Sequence, residues 1–437
     1  MELAPELIGL LGFGLMMVLI VIGVPIAFAM LGVAAVGLFL VGGPNHAATQ
    51  LSLTFVEQGS NFILIAIPLY MLMGQIVYRT EIARDLYDCV YKWLGRLPGG
   101  LAITSVVACA GFGSISGGSV TAVATMGPMC MPAMRRYGYD DSLAAGSIAS
   151  AGTLGILIPP SIVLVVYGIW TETSIGALFI AGIVPGILMT LAYSATIYAR
   201  CKITPSLGPV GETFTMAEKL SSLVKLLPVL ATFLIVIGGI YLGVFTPTEA
   251  AAFGVFSLFG IAFCMGRMSW RILGLTLRET MHLTGMIFVI IIGGHMMGKF
   301  VVLTGLTSGM VDWIMGLGFS GLGVMLMFSL LFIALGMVLD IWGMLILTIP
   351  FTFPVILQLG YDPVWFGVYT VIMSELALIT PPVGINVFVM AKVAPDVPLN
   401  TIFKGVFPFF IATLILVAIL TIFPEITLWL PHSAGMT

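Results

Sequence analysis

Two short stretches constrain this chain more than any others: "SAGTLGILIPPS" (Ser150 to Ser161) and "SELALITPPVG" (Ser374 to Gly384). Each sets glycine or hydroxyl residues and a proline pair inside an apolar run long enough to cross a bilayer. Backbone groups freed from a helix in hydrocarbon cost several kcal/mol each when unsatisfied. Such a break is tolerated only where protein, water or an ion supplies partners. Apolar segments of about 20 residues recur from end to end, the signature of membrane-spanning helices. Only 8% of the 437 residues are charged and 60% are hydrophobic, with mean hydropathy +1.17. A soluble domain carries roughly 25% charged residues, so an ordinary cytosolic enzyme is excluded. Strand-like alternation is missing, which excludes a transmembrane barrel. The expected fold is an all-α polytopic membrane protein.

Charge placement predicts the path of the chain. Basic residues group at 79–96, 135–136, 200–225, 267–278 and 392–404, while 43–61, 171–175, 245–249, 303–322, 355–363 and 424–437 have none. The positive-inside rule makes the basic groups cytoplasmic and both termini periplasmic. Expected spans are 7–22, 24–42, 62–78, 175–199, 226–245, 249–266, 281–302 and 405–423, with broken spans at 140–172 and 364–392. Residues 7–22 imitate a signal peptide, but Glu2 and Glu6 stand where a basic region belongs, so they count as the first span. Segments 98–134 and 321–355 begin and end on the same side. They read as re-entrant hairpins, tipped by "GFGSISGGS" (Gly111 to Ser119) and "GMVLDIWG" (Gly336 to Gly343). Amphipathic segments 79–96 and 212–225 are expected to lie along the cytoplasmic face. The implied sections are scaffold 1–97, a first transport unit 98–200, scaffold 201–320, a second transport unit 321–423 and a tail 424–437.

The halves are related. An offset of 222 pairs Pro128 with Pro350, Pro132 with Pro354, Gly138-Tyr139-Asp140 with Gly360-Tyr361-Asp362, and Pro159-Pro160 with Pro381-Pro382. An offset of 224 pairs Gly74 with Gly298, Thr80 with Thr304 and Asp88 with Asp312. One hairpin base lies inside and the other outside, so the repeat is inverted, as in secondary transporters that bind cargo where discontinuous helices meet.

The residue types at the breaks suit ions. Freed carbonyls and hydroxyls are hard ligands for Na+, and half-helix N-termini suit a carboxylate. The first tip offers Ser114, Ser116, Ser119 and Thr121, with Gly113, Gly117 and Gly118 permitting close approach; the first break adds Thr153, Gly155 and Ser161. The second tip offers Asp340, and the second break Glu375, Thr380, Gly384 and Asn386. Two sites are expected, each built from one tip and one break. A mid-membrane carboxylate is a functional candidate by default, although Asp340 has a capping alternative and Glu375 a packing one. Small residues in membrane helices also serve packing. Lys299 either snorkels outward or meets an anionic cargo. Cys89, Cys109, Cys130, Cys201 and Cys264 show no metal spacing and read as small apolar residues. His46, His282, His295 and His432 form no ligand motif. No basic block suggests nucleic acid.

The segments "GFGSISGGSVTAVATMGPMCMPAMRRYGY", "ASAGTLGILIPPSIVLVVYG", "VLDIWGMLILTIPFTFPVILQLGYD" and "LALITPPVGINVFV" strongly resemble the large membrane subunit of TRAP transporters (tripartite ATP-independent periplasmic transporters, DctM family) over nearly the full chain. The resemblance implies a bacterial inner-membrane, elevator-type importer of small organic anions such as C4-dicarboxylates or sialic acid. It implies Na+ as coupling ion, with a small four-helix membrane subunit and a periplasmic substrate-binding protein as partners. The chain opens directly on the large-subunit pattern, so the small subunit is expected as a separate chain. Carried over residue by residue, substrate contacts fall to Ser116, Ser161, Thr380 and Asn386. Na+ ligands fall to Ser114, Gly155, Asp340 and Gly384, to which the residue types at the first tip and break add Gly117 and Thr153. A stand-alone divalent-anion/Na+ symporter of related architecture is the alternative; a channel is a weaker one. No Ser/His/Asp, HExxH or paired-acid arrangement converges, so an enzyme is not expected.

Overall fold

The computed structural model describes residues 4–436; Glu2 of the acidic flank and the last residue of the tail lie outside them. Among the described residues, eight helices are long and apolar enough to cross a membrane, or nine with Asp141–Leu157 and Ile162–Thr171 taken as one bent span. The chain is a multi-pass, all-helical membrane protein.

Its elements fall into two matching series. The first runs α1 (Pro5–Val21), α2 (Ile26–Gly59), α3 (Ala66–Arg79) and α4 (Ile82–Leu94). A helical hairpin follows, α5 (Gly100–Ser116) and α6 (Ser119–Arg136). Then come the pieces of a broken helix, α7 (Asp141–Ala151), α8 (Leu154–Leu157) and α9 (Ile162–Thr171), and a closing helix, α10 (Ile175–Ile203). The second series runs α11 (Met216–Phe233), α12 (Gly239–Tyr241), α13 (Pro247–Cys264), α14 (Trp270–Leu303) and α15 (Leu306–Gly316). Its hairpin is α16 (Gly321–Gly336) and α17 (Ile341–Gln358), its broken helix α18 (Pro363–Ala377) and α19 (Ile385–Val393), and its closing helix α20 (Leu399–Ile422). A final helix, α21 (Glu425–Ser433), follows.

The repeat reaches the level of single hydrogen bonds. Asp140 caps α7 by accepting from the amides of Ser142 and Leu143; Asp362 caps α18 by accepting from Val364 and Trp365. A cap of this kind stabilises by about 1 kcal/mol. Gly138 and Gly360 both take left-handed φ, 75° and 77°. Upstream, α3 and α14 end at Thr80 and Thr304, whose hydroxyls donate back to the carbonyls of Ile76 and Val301. Both proline pairs contain a cis bond.

Several boundaries differ from the sequence reading. Helix α2 does not stop near residue 42 but continues to Gly59 through a bend at Gly43 (φ 79°), next to Pro44. Proline removes one helical hydrogen bond and kinks the helix without ending it. Residues 212–225 do not form a separate surface helix. From Met216 they lead into one span reaching Tyr241, joined by a π-helical turn at Leu234–Gly238. Span 281–302 is the C-terminal part of the 34-residue α14. The tail is helical over Glu425–Ser433 and packs on α10.

The two series are interlocked rather than side by side. Helix α2 pairs with α14, and α3 with α13; α7 packs on α20, and α10 on α18. At the α7–α20 crossing the backbones nearly touch: a Cβ on Gly146 would sit 2.3 Å from the Gly405 carbonyl carbon. Exposed apolar side chains such as Leu10, Phe28, Leu40 and Phe256 line the outer helices, the surface a bilayer requires.

Several of the basic residues form ion pairs across the fold. Asp85 on α4 meets both Arg267 and Lys225, and Arg135 bridges Asp141 (2.9 Å) and Asp396 (2.6 Å), so distant basic groups join one another's surroundings. The bare stretches also converge: residues from 58–63, 172–176 and 246–248 share one cavity of about 770 Å³ with His295. Lys299 neither snorkels freely nor faces the centre; its ammonium donates to Thr54 and Glu57 on α2.

Candidate functional site

Both hairpin tips and both breaks reach a single internal cavity of about 370 Å³. Ser116–Thr121 enter from the first tip, Asp340–Trp342 from the second, Ile156, Ile162 and Val163 from the first break, and Leu378 and Ile385 from the second. The two tip-and-break pairs expected from the sequence thus open onto one common space. The interlocked series bring their tips to one place, because each tip packs on its own break and the breaks lie together. At the first pair, a Cβ on Gly113 would lie 2.2 Å from the Gly155 Cα; at the second, one on Gly336 would lie 1.9 Å from the Ala377 Cβ.

Four helices, α6, α9, α17 and α19, begin at this cavity. Their first amides have no helical partner and carry the positive ends of the helix dipoles. The lining residues include no Lys, Arg or His. An anion held here is met by backbone N–H groups and hydroxyls, and Asp340 is the one carboxylate in the lining.

The sequence-derived residues divide into three groups. In the lining are Ser116, Gly117 and Asp340. The Ser116 hydroxyl is buried without a partner. Gly117 ends α5 in a left-handed turn (φ 59°), and a Cβ there would stand 3.0 Å from the Pro160 carbonyl oxygen. Asp340 is half-buried, and its Oδ1 accepts from the Gly343 amide at 2.8 Å, so it also caps α17.

The second group is buried next to the cavity and engaged by other protein groups. Ser114 donates to the Gly111 carbonyl at 2.7 Å and Thr153 to that of Ser150 at 2.7 Å. Ser161 caps α9, accepting from the Leu164 amide at 3.3 Å. Gly155 is the surface on which Gly113 packs. Asn386 joins the halves, its Nδ2 donating to the Ser119 hydroxyl (2.8 Å) and the Ala149 carbonyl (3.3 Å).

The third group stays out of the lining and faces Phe403. Thr380 donates to the Leu376 carbonyl and lines a separate cavity of about 210 Å³ with Phe403 and Phe407. Gly384 starts α19 in a left-handed turn (φ 55°) against Phe403.

The cavity also has a wall that motif reading missed. Met71, Gly74 and Gln75 come from α3, and Leu283, Met286 and Ile287 from α14. Gly74 lets α3 touch the first tip: a Cβ there would be 2.8 Å from the Ser116 Cα. The Gln75 carbonyl oxygen is buried without a partner. Its signal was in the sequence, as a lone amide in the apolar run "IPLYMLMGQIVYR".

Duplicated units whose hairpins and broken helices meet at one internal cavity define a membrane permease of the secondary-transporter class. Two solved transporters share this fold. YdaH of Alcanivorax borkumensis matches at TM-score 0.60 and 14% identity, covering 99% of each chain. MtrF of Neisseria gonorrhoeae matches at TM-score 0.55 and 14% identity, covering 98% of this chain and 96% of that one. The family described as "Tripartite ATP-independent periplasmic transporter, DctM component" matches residues 13–426. Among relatives, the C4-dicarboxylate TRAP transporter large permease protein DctM of Pseudomonas aeruginosa is 36% identical over 410 residues, covering 93% of this chain and 95% of its own. The sialic acid TRAP transporter large permease protein SiaM of Vibrio cholerae is 32% identical over 417 residues, covering 94% and 95%. The chain belongs to the DctM family and is the large permease component of a TRAP transporter.

Proposed function

We propose that this permease imports a small organic anion, a C4-dicarboxylate, sialic acid or a similar carboxylate, driven by Na+. A periplasmic binding protein delivers the cargo, and a small four-helix membrane subunit braces the permease in the bacterial inner membrane. The observation that carries this reading is the cavity itself: four helix N-termini and two hydroxyl-rich or acidic tips around about 370 Å³. That volume lies within the range of small-molecule sites, roughly 300–1,000 Å³. The amides and Ser116 suit the cargo carboxylate; Asp340, with freed carbonyls around Gly117, suits Na+. Binding both at once lets each offset the other's charge.

The hairpins and broken helices move as a block, as re-entrant elements, along a wall formed by α3 and α14. The basic clusters face the cytoplasm and both termini the periplasm. The sections 98–200 and 321–423 supply the moving block, 1–97 and 201–320 the scaffold, and 424–437 the tail.

Uptake in proteoliposomes containing all three components, with a panel of organic acids and with or without a Na+ gradient, tests this. Asp340→Ala removes a charged ligand of about 1.5–3 kcal/mol, so half-saturation in Na+ rises about tenfold or more. Ser114→Ala also cuts uptake, with assembly intact in both variants. Full activity in both would refute the site. Uptake without saturation or Na+ dependence would refute the carrier.

A further inference from the structure

Glu375 is left unused by that reading. It sits on α18 with 1% exposure, and neither carboxyl oxygen has a hydrogen-bond partner. The fold does not require it: at offset 222 the first series has Thr153, whose hydroxyl is satisfied by the Ser150 carbonyl.

Its surroundings are polar but uncharged. The Ser119 hydroxyl is a neighbour of the Glu375 carboxyl without a hydrogen bond to it in this conformation; it accepts a hydrogen bond from Asn386 Nδ2 and lines the cargo cavity. Asn386 is fully buried, and its Oδ1 has no partner. The titratable group within electrostatic reach is Tyr193 on α10, whose hydroxyl is shared with Thr413 on α20. Helices α8, α9, α16 and α17 contain no charged residue. Asp141 stands at the start of α7 and Lys404 near that of α20. Arg135 and Arg136 end α6, Arg200 and Lys202 end α10, and Lys392 stands in the last turn of α19; α21 carries Glu425 and His432. No cation therefore faces the carboxyl.

An unpaired carboxylate buried this deeply costs several kcal/mol, whereas the neutral acid costs far less. A sodium ion needs several oxygens at once, but the Glu375 carbonyl is already taken by the Leu378 amide. A proton needs only one oxygen. We infer that Glu375 is a proton-binding site, wired to the cargo cavity through the Ser119 hydroxyl, so that proton and cargo occupancy are coupled. On release the Glu375 carboxyl turns to hydrogen-bond Ser119 Oγ and passes its proton there, and the Ser119 hydroxyl proton passes to cavity water. Rebinding reverses both transfers.

The coupling rests on the transport reading, but the protonation does not, so two measurements separate them. Infrared spectroscopy of the full three-component complex in lipid, at neutral pH, reads the carbonyl band of a protonated buried carboxyl. That band is expected in the wild type and absent in the near-isosteric Glu375→Gln. Its absence from the wild type, or its loss on adding Na+ alone, overturns the inference. Succinate uptake under a fixed Na+ gradient at varied external pH then reads the coupling. Wild-type uptake changes with pH, Glu375→Gln flattens the profile, and Ser119→Ala slows proton exchange in the infrared signal. Identical pH profiles for wild type and Glu375→Gln also overturn it. A persistent band with no Na+-driven uptake of any organic acid would overturn the transport reading instead.

Discussion

Ser116 lines the cavity and Ser161 is buried beside it, yet their hydroxyls have different tasks. Ser161 satisfies an amide of α9, while Ser116 is buried with no protein partner. Ser161→Ala therefore lowers stability by about 1 kcal/mol and leaves cargo half-saturation close to wild type. Ser116→Ala leaves stability unchanged and weakens cargo or Na+ binding by about fivefold to tenfold, the worth of a hydrogen bond of about 1 kcal/mol. Thermal unfolding in detergent and uptake kinetics check the pair. Reversed outcomes would exchange their roles. Both serines stood out in the sequence for the same reason, being polar residues at a helix break. Which one had a local partner depended on backbone geometry that spacing does not encode.

Among elements, the tightest crossing is α7 on α20. A Cβ added at Gly405 would stand 1.9 Å from the Ser142 carbonyl oxygen, backbone that cannot step aside. Gly405→Ala and Gly146→Ala each force the helices apart, at a cost of about 1–3 kcal/mol, seen as a lower unfolding temperature. Gly298→Ala is the control, since a Cβ there meets nothing within 4 Å. Equal melting of all three variants would show that this crossing carries no strain. Gly298 and Gly74 match in sequence at offset 224, but only Gly74 touches a hairpin tip. The repeat was therefore legible, and the points where function broke its symmetry were not. A duplicated sequence marks equivalent positions; the neighbours that arrive from the other copy differ.

For the whole molecule, the Arg135–Asp396 ion pair ties the base of the first hairpin to the α19–α20 connection of the second series. Hydrogen bonding from Arg135 holds the Asp396 carboxyl below its usual range, which is about 4. The stabilisation is therefore complete above that pH and disappears as pH falls through the lowered value. Asp396→Asn melts below wild type at pH 7, and the two curves converge in acid; a gap that persists in acid would assign the effect to packing. The proposed movement has its own test at this scale. Gly74→Cys with Ser116→Cys places two Cβ atoms close together, since the ideal Gly74 Cβ lies 3.2 Å from that of Ser116, near the disulfide range of about 3.5–4.5 Å. Oxidation is expected to stop uptake and reduction to restore what activity the double variant has. Undiminished uptake in the oxidised form would rule out sliding at this wall.

The sequence by itself determined the class of molecule, the helical hairpins, the two breaks and the duplication. All of these follow from local causes: apolar length, proline and glycine placement, and the cost of unsatisfied backbone in hydrocarbon. Only the tertiary structure decided that the copies interlock, α2 with α14 and α3 with α13, and that both tips and both breaks line one cavity. It also placed Gln75 in the wall and left Glu375 buried without a partner. Those outcomes depend on which faces of distant helices meet. In a chain that is apolar nearly all round, hydrophobic periodicity does not mark the facing side, so close backbone approach at glycine selects it instead.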